Sequence, residues 1–285
     1  MTLILFSTTD LKGARQAEFG RMLRSLGRNA LGAEPVRCHV LLQNCSQEQL
    51  AALRAHAPDC CQLTAIAGRC SLSAARNRLI ETAVAQEAFG PDDIVGFPDD
   101  DCWLPDHLAA SLAATFGGLE RLDLLICRIA PDPVLAAFGP GEVRPATTRQ
   151  AVRVATSNSM FIRASTFLRL GRFDETLGVG TPNGGAEDTD FVIRAFLAAR
   201  QSGFVDRAVV AHATPDRDSA AKYYRGALIV LARHAHRNPA LFYEFLRKLL
   251  VGGYFTLCGR LRPVALLAAL GAATRSFGAG ARAAS

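Results

Sequence analysis

The first hundred residues repeat one pattern, an apolar strand followed by a helix, and this repetition limits the possible folds. Apolar runs typical of strands occupy four ranges, 3–6, 36–43, 62–67 and 93–97, and helical spacing follows at 13–26, 46–57 and 71–86. Continuous apolar runs, unlike alternating ones, are typical of strands covered on both faces. The order therefore predicts an α/β domain with a Rossmann-like, mostly parallel central sheet and helices on both faces.

Local signals place some boundaries within this pattern. Ser46 with Gln49 three residues later predicts a capping box, and Ser73 is expected to cap the helix at 71–86. The first strand is expected to end at the polar residues 7–10. The second half of the chain is less regular; we expect strands at 122–130, 157–164 and 204–213, and helices at 187–201 and 219–235.

Three consecutive aspartates, Asp99, Asp100 and Asp101, follow the fourth strand directly. In open parallel sheets, ligands bind at the carboxyl ends of the strands. Clustered carboxylates at such an end can hold Mg²⁺ or Mn²⁺, which is commonly shared with substrate phosphates. The alternative is a solvated acidic turn in which Asp106 helps to start the next helix.

A second acidic group begins the helix at 187. Glu187, Asp188 and Asp190 lie in its first turn, after Gly184 and Gly185. The helix dipole alone explains acids at this position, whereas the glycine-rich chain before them suits a mobile active-site loop. Further along, a short apolar strand ends at His212, and three basic residues follow that could face a diphosphate: Arg217, Lys222 and Arg225.

Charge and cysteine usage exclude some classes of protein. The net charge is +6, but residues 240–285 carry six basic residues against one acid, so the charge does not spread over a nucleic-acid-binding face. The eight cysteines form no C-x-x-C pair, which argues against zinc and indicates free thiols in a reducing cytoplasm. The N-terminus lacks the pattern of a secretory signal.

The C-terminal segment needs its own explanation. Two uncharged apolar runs, 249–259 and 263–274, are separated by Arg260 and Arg262. Each run is shorter than the roughly 20 residues of a spanning helix. The segment either packs back on the domain or lies on an anionic membrane surface as a helical amphipathic anchor; the interleaved basic and apolar residues favour the anchor.

Five segments, taken in order, resemble those of the bacterial family 2 glycosyltransferases, whose fold is GT-A. The resemblance covers roughly residues 1–235, and its segments read SLSAARNRLIE (71–81), FPDDDCWLPDHL (97–108), SNSMFIRASTFLRLGRFDETLGVG (157–180), GGAEDTDF (184–191) and KYYRGALIVLARHA (222–235). Two segments depart from the family pattern. Residues 7–10 read STTD where the family has P-T-Y-N, and residues 41–49 lack its D-D-G-S.

The resemblance implies a metal-dependent, inverting transfer of a sugar. The donor would be a nucleotide-diphosphate sugar, with UDP as the default and dTDP or GDP left open. The acceptor would be a hydroxyl of a lipid-linked or saccharide molecule, in the synthesis of cell-surface polysaccharide or lipopolysaccharide. The Q-x-x-R-W segment of processive members is absent, which favours a single addition.

The resemblance also implies roles for individual residues. Asp188 would be the general base, with Glu187 the less favoured choice, and Asp101 and His212 would bind Mg²⁺ or Mn²⁺. The implied donor or nucleotide contacts are Ser7, Thr8, Asp10, Arg76, Asp99 and Asp100. The implied acceptor or sugar pocket contains Trp103, Asn158 and Gly185.

Together these observations predict a GT-A domain at 1–239 and a membrane-associating region at 240–285, in a cytoplasmic protein peripheral to the inner face of the cell membrane. Two other functions remain open. One is a non-catalytic nucleotide-sugar-binding protein of the same fold. The other is a sugar nucleotidyltransferase, for which residues 11–16 (LKGARQ) are a weak match to the expected phosphate loop.

Overall fold

The computed structural model describes residues 1–86, 89–133, 136–212 and 219–282. Its centre is one eight-stranded sheet with the strand order β3-β2-β1-β4-β7-β5-β8-β6. The strands are β1 Leu3–Asp10, β2 Val36–Gln43, β3 Cys61–Ile66, β4 Ile94–Gly96, β5 Leu122–Ala130, β6 Arg144–Pro145, β7 Met160–Arg163 and β8 Gln201–Ala211.

Eleven α-helices accompany the sheet in the described part of the chain. They are α1 Gln16–Ala30, α2 Gln47–Arg54, α3 Leu72–Ala85, α4 Leu108–Gly118, α5 Thr148–Arg153, α6 Ala164–Leu170, α7 Glu187–Ala198, α8 Ser219–Lys222, α9 Tyr224–His234, α10 Pro239–Leu257 and α11 Pro263–Arg282. The order of strands and helices over the first hundred residues is the predicted one.

The sheet is mostly parallel, as predicted. Strands β1 to β4 pair in parallel, and so do β5 and β8. Strand β7 lies antiparallel between β4 and β5, and the two-residue β6 is an antiparallel edge. Because β7 runs the other way, its amino end lies at the edge where the parallel strands end.

Helices cover both faces of the sheet, and β1 shows why its apolar run is continuous. Leu3 and Leu5 face a core formed with α1 and α4, whereas Ile4 and Phe6 face a second core formed with α3 and α7. In β4, a side chain at Gly96 would overlap the side chains of Leu5 and Phe161 on its two neighbouring strands. Both cores therefore depend on close strand packing.

Three local expectations were wrong. Strand β1 does not end at residue 6 but continues to Asp10, paired with β2 along its whole length. The strand expected at 157–164 begins at Met160, after a 3₁₀ turn at Ser157–Ser159. Helix α3 is capped by Ser71, because the Ser73 hydroxyl donates to the Leu177 carbonyl instead. The Ser46–Gln49 capping box is confirmed.

The C-terminal helices pack against α9. Tyr224 and Leu228 of α9 share a buried cluster with Phe255 of α10 and Ala269 and Ala273 of α11. Glu244, the acid of this segment, is buried and forms ion pairs with Arg153 and Arg247. Among the described residues, no helix is both long and apolar enough to span a bilayer. The division of the chain at residue 239 stays a prediction.

Candidate active site

The three aspartates lie in the turn that follows β4, at the partly enclosed edge of the sheet where the parallel strands end. Asp100 and Asp101 are buried. Asp100 accepts hydrogen bonds from the Thr9 hydroxyl at 2.7 Å and from Nη1 of Arg15 at 3.1 Å. Burial raises the pKa of Asp100 even so. The acidic turn is therefore built into the fold and is not a solvated surface feature.

Asp99 is fixed by partners from two other segments. Its Oδ1 accepts from Nη2 of Arg76 at 3.0 Å, and its Oδ2 accepts from Nδ2 of Asn158 at 2.8 Å. The backbone N–H of Asp99 donates in return to Oδ1 of Asn158 at 2.6 Å. These reciprocal bonds join the aspartate turn to the 3₁₀ turn that precedes β7.

Arg76 connects the first acidic group to the second. It is almost fully buried, and its Nη1 lies 3.6 Å from Oε1 of Glu187 while its Nη2 holds Asp99. Burial, with the charge of the neighbouring Asp188 added, raises the pKa of Glu187 to about 7. Two acidic segments that are distant in sequence thus meet around one buried guanidinium.

Asp188 is more accessible than Glu187. It retains partial exposure and accepts hydrogen bonds from the backbone N–H groups of Ser157 at 3.3 Å and Thr189 at 2.8 Å. Desolvation by the surrounding protein raises the pKa of Asp188, against the opposing charge of Arg76. A hydrogen-bonded, partly exposed carboxylate with a raised pKa suits a general base.

The backbone before α7 is strained where it presents these acids. Ala186, which precedes the helix, has a φ of 71°, a left-handed value uncommon for a residue other than glycine. Gly184 has a φ of 84°. Positive φ angles of non-glycine residues are concentrated at functional sites. The carbonyl of Gly185 accepts from the N–H of Gly178, and the residue packs against Tyr223.

Asp101 and His212 form a candidate metal site. Oδ1 of Asp101 lies 3.3 Å from Nε2 of His212, and Sγ of Cys102 lies within 4.8 Å of a carboxylate oxygen of Asp101 and a ring nitrogen of His212. Oδ1 is buried and has no well-aligned hydrogen bond from any described residue. Burial would raise the pKa of Asp101, but His212 and Arg15 lower it below its usual value. An ionised, incompletely satisfied carboxylate beside an imidazole fits a divalent cation.

A cavity of about 560 Å³ opens beside these groups. Asp99, Asp100, His212 and residues from five further segments line it, namely Thr8, Asp10, Gly13, Ala14, Arg15, Gln43, Arg69, Cys70, Leu72, Val179, Lys222 and Tyr223. Oδ1 of Asp10 accepts from Nδ2 of Asn44 at 2.7 Å, and this bond lowers the pKa of Asp10. The cavity volume and its mixed charges suit a polar ligand the size of a nucleotide.

Five of the thirteen predicted site residues line this cavity, namely Thr8, Asp10, Asp99, Asp100 and His212. Asp101, Arg76, Asn158 and Glu187 contact these residues or one another without lining the cavity. Ser7 is buried, and its hydroxyl donates to Sδ of Met22. Trp103 forms an isolated antiparallel bridge with Ala211 and does not line the cavity. Arg225 donates to the side chain of Asn183, and Arg217 lies outside the described residues. The roles assigned to individual residues stay predictions.

Sequence reasoning missed five residues at this edge: Arg15, Gln43, Arg69, Cys102 and Tyr223. Arg15 and Arg69 belong to loops that follow β1 and β3. Loops at the carboxyl edge of a parallel sheet converge, so their basic residues were a general signal, but this signal does not say which of them reaches the aspartates.

Comparison with known proteins identifies the architecture. No family model and no curated protein sequence matches the chain. Among solved structures, S. aureus TarS residues 1–349 in complex with UDP-GlcNAc is similar, with a TM-score of 0.61 at 16% identity over 87% of this chain and 72% of that one. The chain has the GT-A fold. Identities at this level establish the fold alone.

Two other GT-A structures are similar over large parts of the chain. The mannosyltransferase PcManGT from Pyrobaculum calidifontis, in complex with GDP-Man and Mn²⁺, has a TM-score of 0.51 at 19% identity over 99% of this chain and 76% of that one. GalNAc-T7 with UDP, GalNAc and Mn²⁺ has a TM-score of 0.50 at 12% identity, over 81% of this chain and 47% of that one.

Proposed function

We propose that this protein is an inverting, metal-dependent glycosyltransferase that moves one sugar from a nucleotide-diphosphate sugar to a hydroxyl. The observation that carries the proposal is the connection of two acidic groups through one buried guanidinium beside the cavity. Asp99 is joined to Glu187 through Arg76, and Asp99 also lies 3.8 Å from His212, which neighbours Asp101. The candidate base and the candidate cation site are therefore linked through Asp99, which itself lines the cavity.

Different residues act on the acceptor and on the leaving group. Asp188 removes the proton from the acceptor hydroxyl as the oxygen attacks the anomeric carbon of the donor. The bond from that carbon to the diphosphate oxygen breaks, and its electron pair leaves with the nucleoside diphosphate. Attack from the face opposite the leaving group inverts the anomeric carbon. Asp101 and His212 would hold a divalent cation, which would supply Lewis-acid stabilisation of the charge on the leaving diphosphate.

Glu187 and Arg76 position the base and are not themselves the base. Glu187 is 5% exposed and lies against the guanidinium of Arg76, whereas Asp188 keeps the more open position. An acceptor hydroxyl can approach Asp188 with less rearrangement than Glu187. The preference for Asp188 as the base therefore rests on accessibility.

The ligand types favour Mn²⁺ over Mg²⁺ at this site. Mg²⁺ prefers an all-oxygen shell, whereas Mn²⁺ binds carboxylate oxygens and, as a transition metal, also accepts an imidazole nitrogen. His212 supplies such a nitrogen beside the Asp101 carboxylate, and burial raises the pKa of the Cys102 thiol, which therefore stays protonated. PcManGT and GalNAc-T7 were both solved with Mn²⁺, which agrees with this choice.

UDP remains the default nucleotide, with dTDP and GDP as alternatives, because the similar structures hold both UDP-GlcNAc and GDP-Man. The acceptor would be lipid-linked or saccharide, in cell-surface polysaccharide or lipopolysaccharide synthesis.

The experiment that tests the proposed function is a donor screen with Mn²⁺, a panel of nucleotide sugars and short saccharide or lipid-linked acceptors. Transfer from one donor supports the proposal. Donor binding without turnover would favour a non-catalytic binding protein.

The pH dependence follows from the raised carboxyl pKa values. A base acts only when ionised, so its activity is lost as the pH falls through its raised pKa. We expect kcat/KM for transfer to decline as the pH falls through the raised pKa of Asp188, approaching tenfold per pH unit, because the protonated carboxyl cannot accept the proton of the acceptor.

Glu187→Gln removes one of two neighbouring negative charges. It is therefore expected to move this acidic limb to lower pH, since less repulsion opposes ionisation of Asp188. The measurement is a pH–rate profile of both proteins with the same donor. A profile that is flat from pH 5 to 8 in the wild-type protein would contradict the assigned base.

The C-terminal helices supply a surface for membrane association on the cytoplasmic side. Leu250, Tyr254 and Leu257 are exposed on one face of α10, and Val264 and Leu267 are exposed on the first turns of α11. The connection between the helices contains Arg260 and Arg262. The acid of the segment, Glu244, is buried and paired elsewhere. Apolar side chains flanked by arginines, with no exposed acid, fit an anionic lipid surface.

Sedimentation with vesicles tests this surface. We expect the wild-type protein to bind vesicles that contain phosphatidylglycerol, and Leu257→Glu to weaken binding at least roughly tenfold, because a 90% exposed leucine would enter the lipid. Leu31→Glu is the control, since Leu31 is 87% exposed at the end of α1, far from this segment in sequence. Equal loss in both variants would contradict a specific lipid-binding face.

A further inference from the structure

Arg15 lies against two of the three aspartates of the site. Its Nη1 is 3.1 Å from Oδ1 of Asp100 and 3.1 Å from Oδ2 of Asp101. The side chain of Arg15 is 57% exposed, whereas those of Asp100 and Asp101 are 11% and 9% exposed. The long side chain of Arg15 thus extends from the solvent-exposed surface to two largely buried carboxylates.

Few interactions hold Arg15 itself in this position. It occupies the N-cap position of α1 without making a side-chain capping bond. The preceding turn is closed by the N–H of Gly13 donating to the carbonyl of Asp10. An ion pair with one partner exposed contributes little free energy, so the guanidinium can leave the aspartates at small cost.

The other cations at the cavity are held by different groups. Arg69 lies 3.5 Å from Asp10, and the buried Arg76 is held between Asp99 and Glu187. Lys222 lies over the ring of Tyr223. Among the described arginines of the cavity, Arg15 is therefore the one that contacts Asp100 and Asp101.

We propose that Arg15 has two roles in donor binding: it competes with a divalent cation for Asp101, and it binds the diphosphate of the donor once the cation holds that aspartate. The inference rests on the proposed function. A divalent cation at Asp101 repels a guanidinium 3.1 Å from the same carboxylate. A diphosphate brings negative charge to the same place, and a guanidinium binds phosphate oxygens in bidentate fashion.

These two roles have effects of opposite sign when the charge is removed. Arg15→Gln frees Asp101 from a competing cation, so Mn²⁺ alone is expected to bind roughly fivefold more tightly. The same variant removes a phosphate contact, so the nucleoside diphosphate is expected to bind roughly tenfold more weakly at saturating Mn²⁺. A residue that only supports the loop would not produce a gain in one affinity and a loss in the other.

The experiment measures both affinities directly, without turnover. Mn²⁺ binding is followed through the electron paramagnetic resonance signal of free Mn²⁺. Calorimetry then measures whichever of UDP, GDP and dTDP the wild-type protein binds best in saturating Mn²⁺. Arg24→Gln, which removes an equal charge from an exposed position on α1, should match the wild type in both measurements. Arg15→Lys should restore the wild-type Mn²⁺ affinity and part of the diphosphate affinity.

Each outcome decides the inference. A gain in Mn²⁺ affinity with a loss in diphosphate affinity supports it. Parallel losses in Arg15→Gln, or affinities equal to those of Arg24→Gln, overturn it while leaving the proposed function standing, provided that the wild type binds both ligands. If the wild-type protein binds neither Mn²⁺ nor any of the three nucleotides, the proposed function fails and the inference fails with it.

Discussion

Asp188→Asn is expected to lower kcat for sugar transfer by roughly a thousandfold while leaving the affinity for the donor nearly unchanged. The amide retains the shape of the side chain but cannot accept the proton of the acceptor hydroxyl. Its oxygen can still accept a hydrogen bond from the backbone N–H of Ser157 or Thr189, so the helix start should be preserved. The measurements are steady-state transfer kinetics and calorimetric binding of the donor.

Two variants serve as references for this result. Asp206→Asn removes an exposed acid that pairs with Arg128 at the surface, and it should transfer sugar at the wild-type rate. Glu187→Gln should lose less activity than Asp188→Asn at pH 8, since we assign Glu187 a positioning role. If Asp188→Asn retains full activity, the base is wrongly assigned. If Glu187→Gln suffers the greater loss, Glu187 is the base.

Asp101→Asn is expected to weaken Mn²⁺ binding by roughly a hundredfold or more. Changing a group that merely supports a metal ligand typically costs tenfold to a hundredfold, and Asp101 is proposed to be a direct ligand. Nucleoside diphosphate affinity should fall in parallel, because a cation held by Asp101 would supply positive charge for the diphosphate. Titration of Mn²⁺, followed by titration of UDP at fixed Mn²⁺, measures both effects.

Asp106→Asn is the matched control for this prediction. Asp106 belongs to the same acidic stretch, but it is exposed and forms an ion pair with Arg28. Its loss should leave both affinities unchanged. Wild-type Mn²⁺ affinity in Asp101→Asn would show that the cation, if bound, is held by other residues.

The alternation of strands and helices over the first hundred residues was predictable because β1, β2 and β4 are buried on both faces, which produces continuous apolar runs. The end of β1 was not predictable in this way. Residues Ser7 to Asp10 are polar, yet backbone pairing with β2 continues to Gln43. The hydroxyls find partners within the fold, with Thr8 donating to the Leu41 carbonyl and Thr9 to Asp100. Side-chain polarity therefore does not mark the end of a strand that leads into a site.

The candidate site was predictable where short sequence segments carry several of its residues. Asp99, Arg76, Asn158, Glu187 and His212 were named from such segments, and the structure brings them together. Arg15 could not be found in this way, because its contacts with Asp100 and Asp101 join residues about 85 positions apart and leave no local pattern. Only the folded chain shows which loop reaches the aspartates.

Cys102 was missed for a different reason. Thiols next to apolar runs usually behave as small buried hydrophobic groups, and Cys102 is fully buried. Its nearness to His212 depends on the bridge between Trp103 and Ala211, which places the end of β8 beside the aspartate turn.

The packing of the C-terminal segment could not be predicted from local sequence either. Its apolar and basic pattern was visible, but the packing of α10 and α11 against α9 was not.

The central claim is that the acids, the cation and the diphosphate meet at one edge of the sheet. Anomalous scattering of Mn²⁺ in crystals grown with UDP tests this claim most directly. The account predicts one strong anomalous peak between Asp101 and His212, with the diphosphate on the same side of the cleft as Asp188. A peak away from both residues, or a nucleotide bound outside the cavity at Asp10 and Gln43, would contradict it.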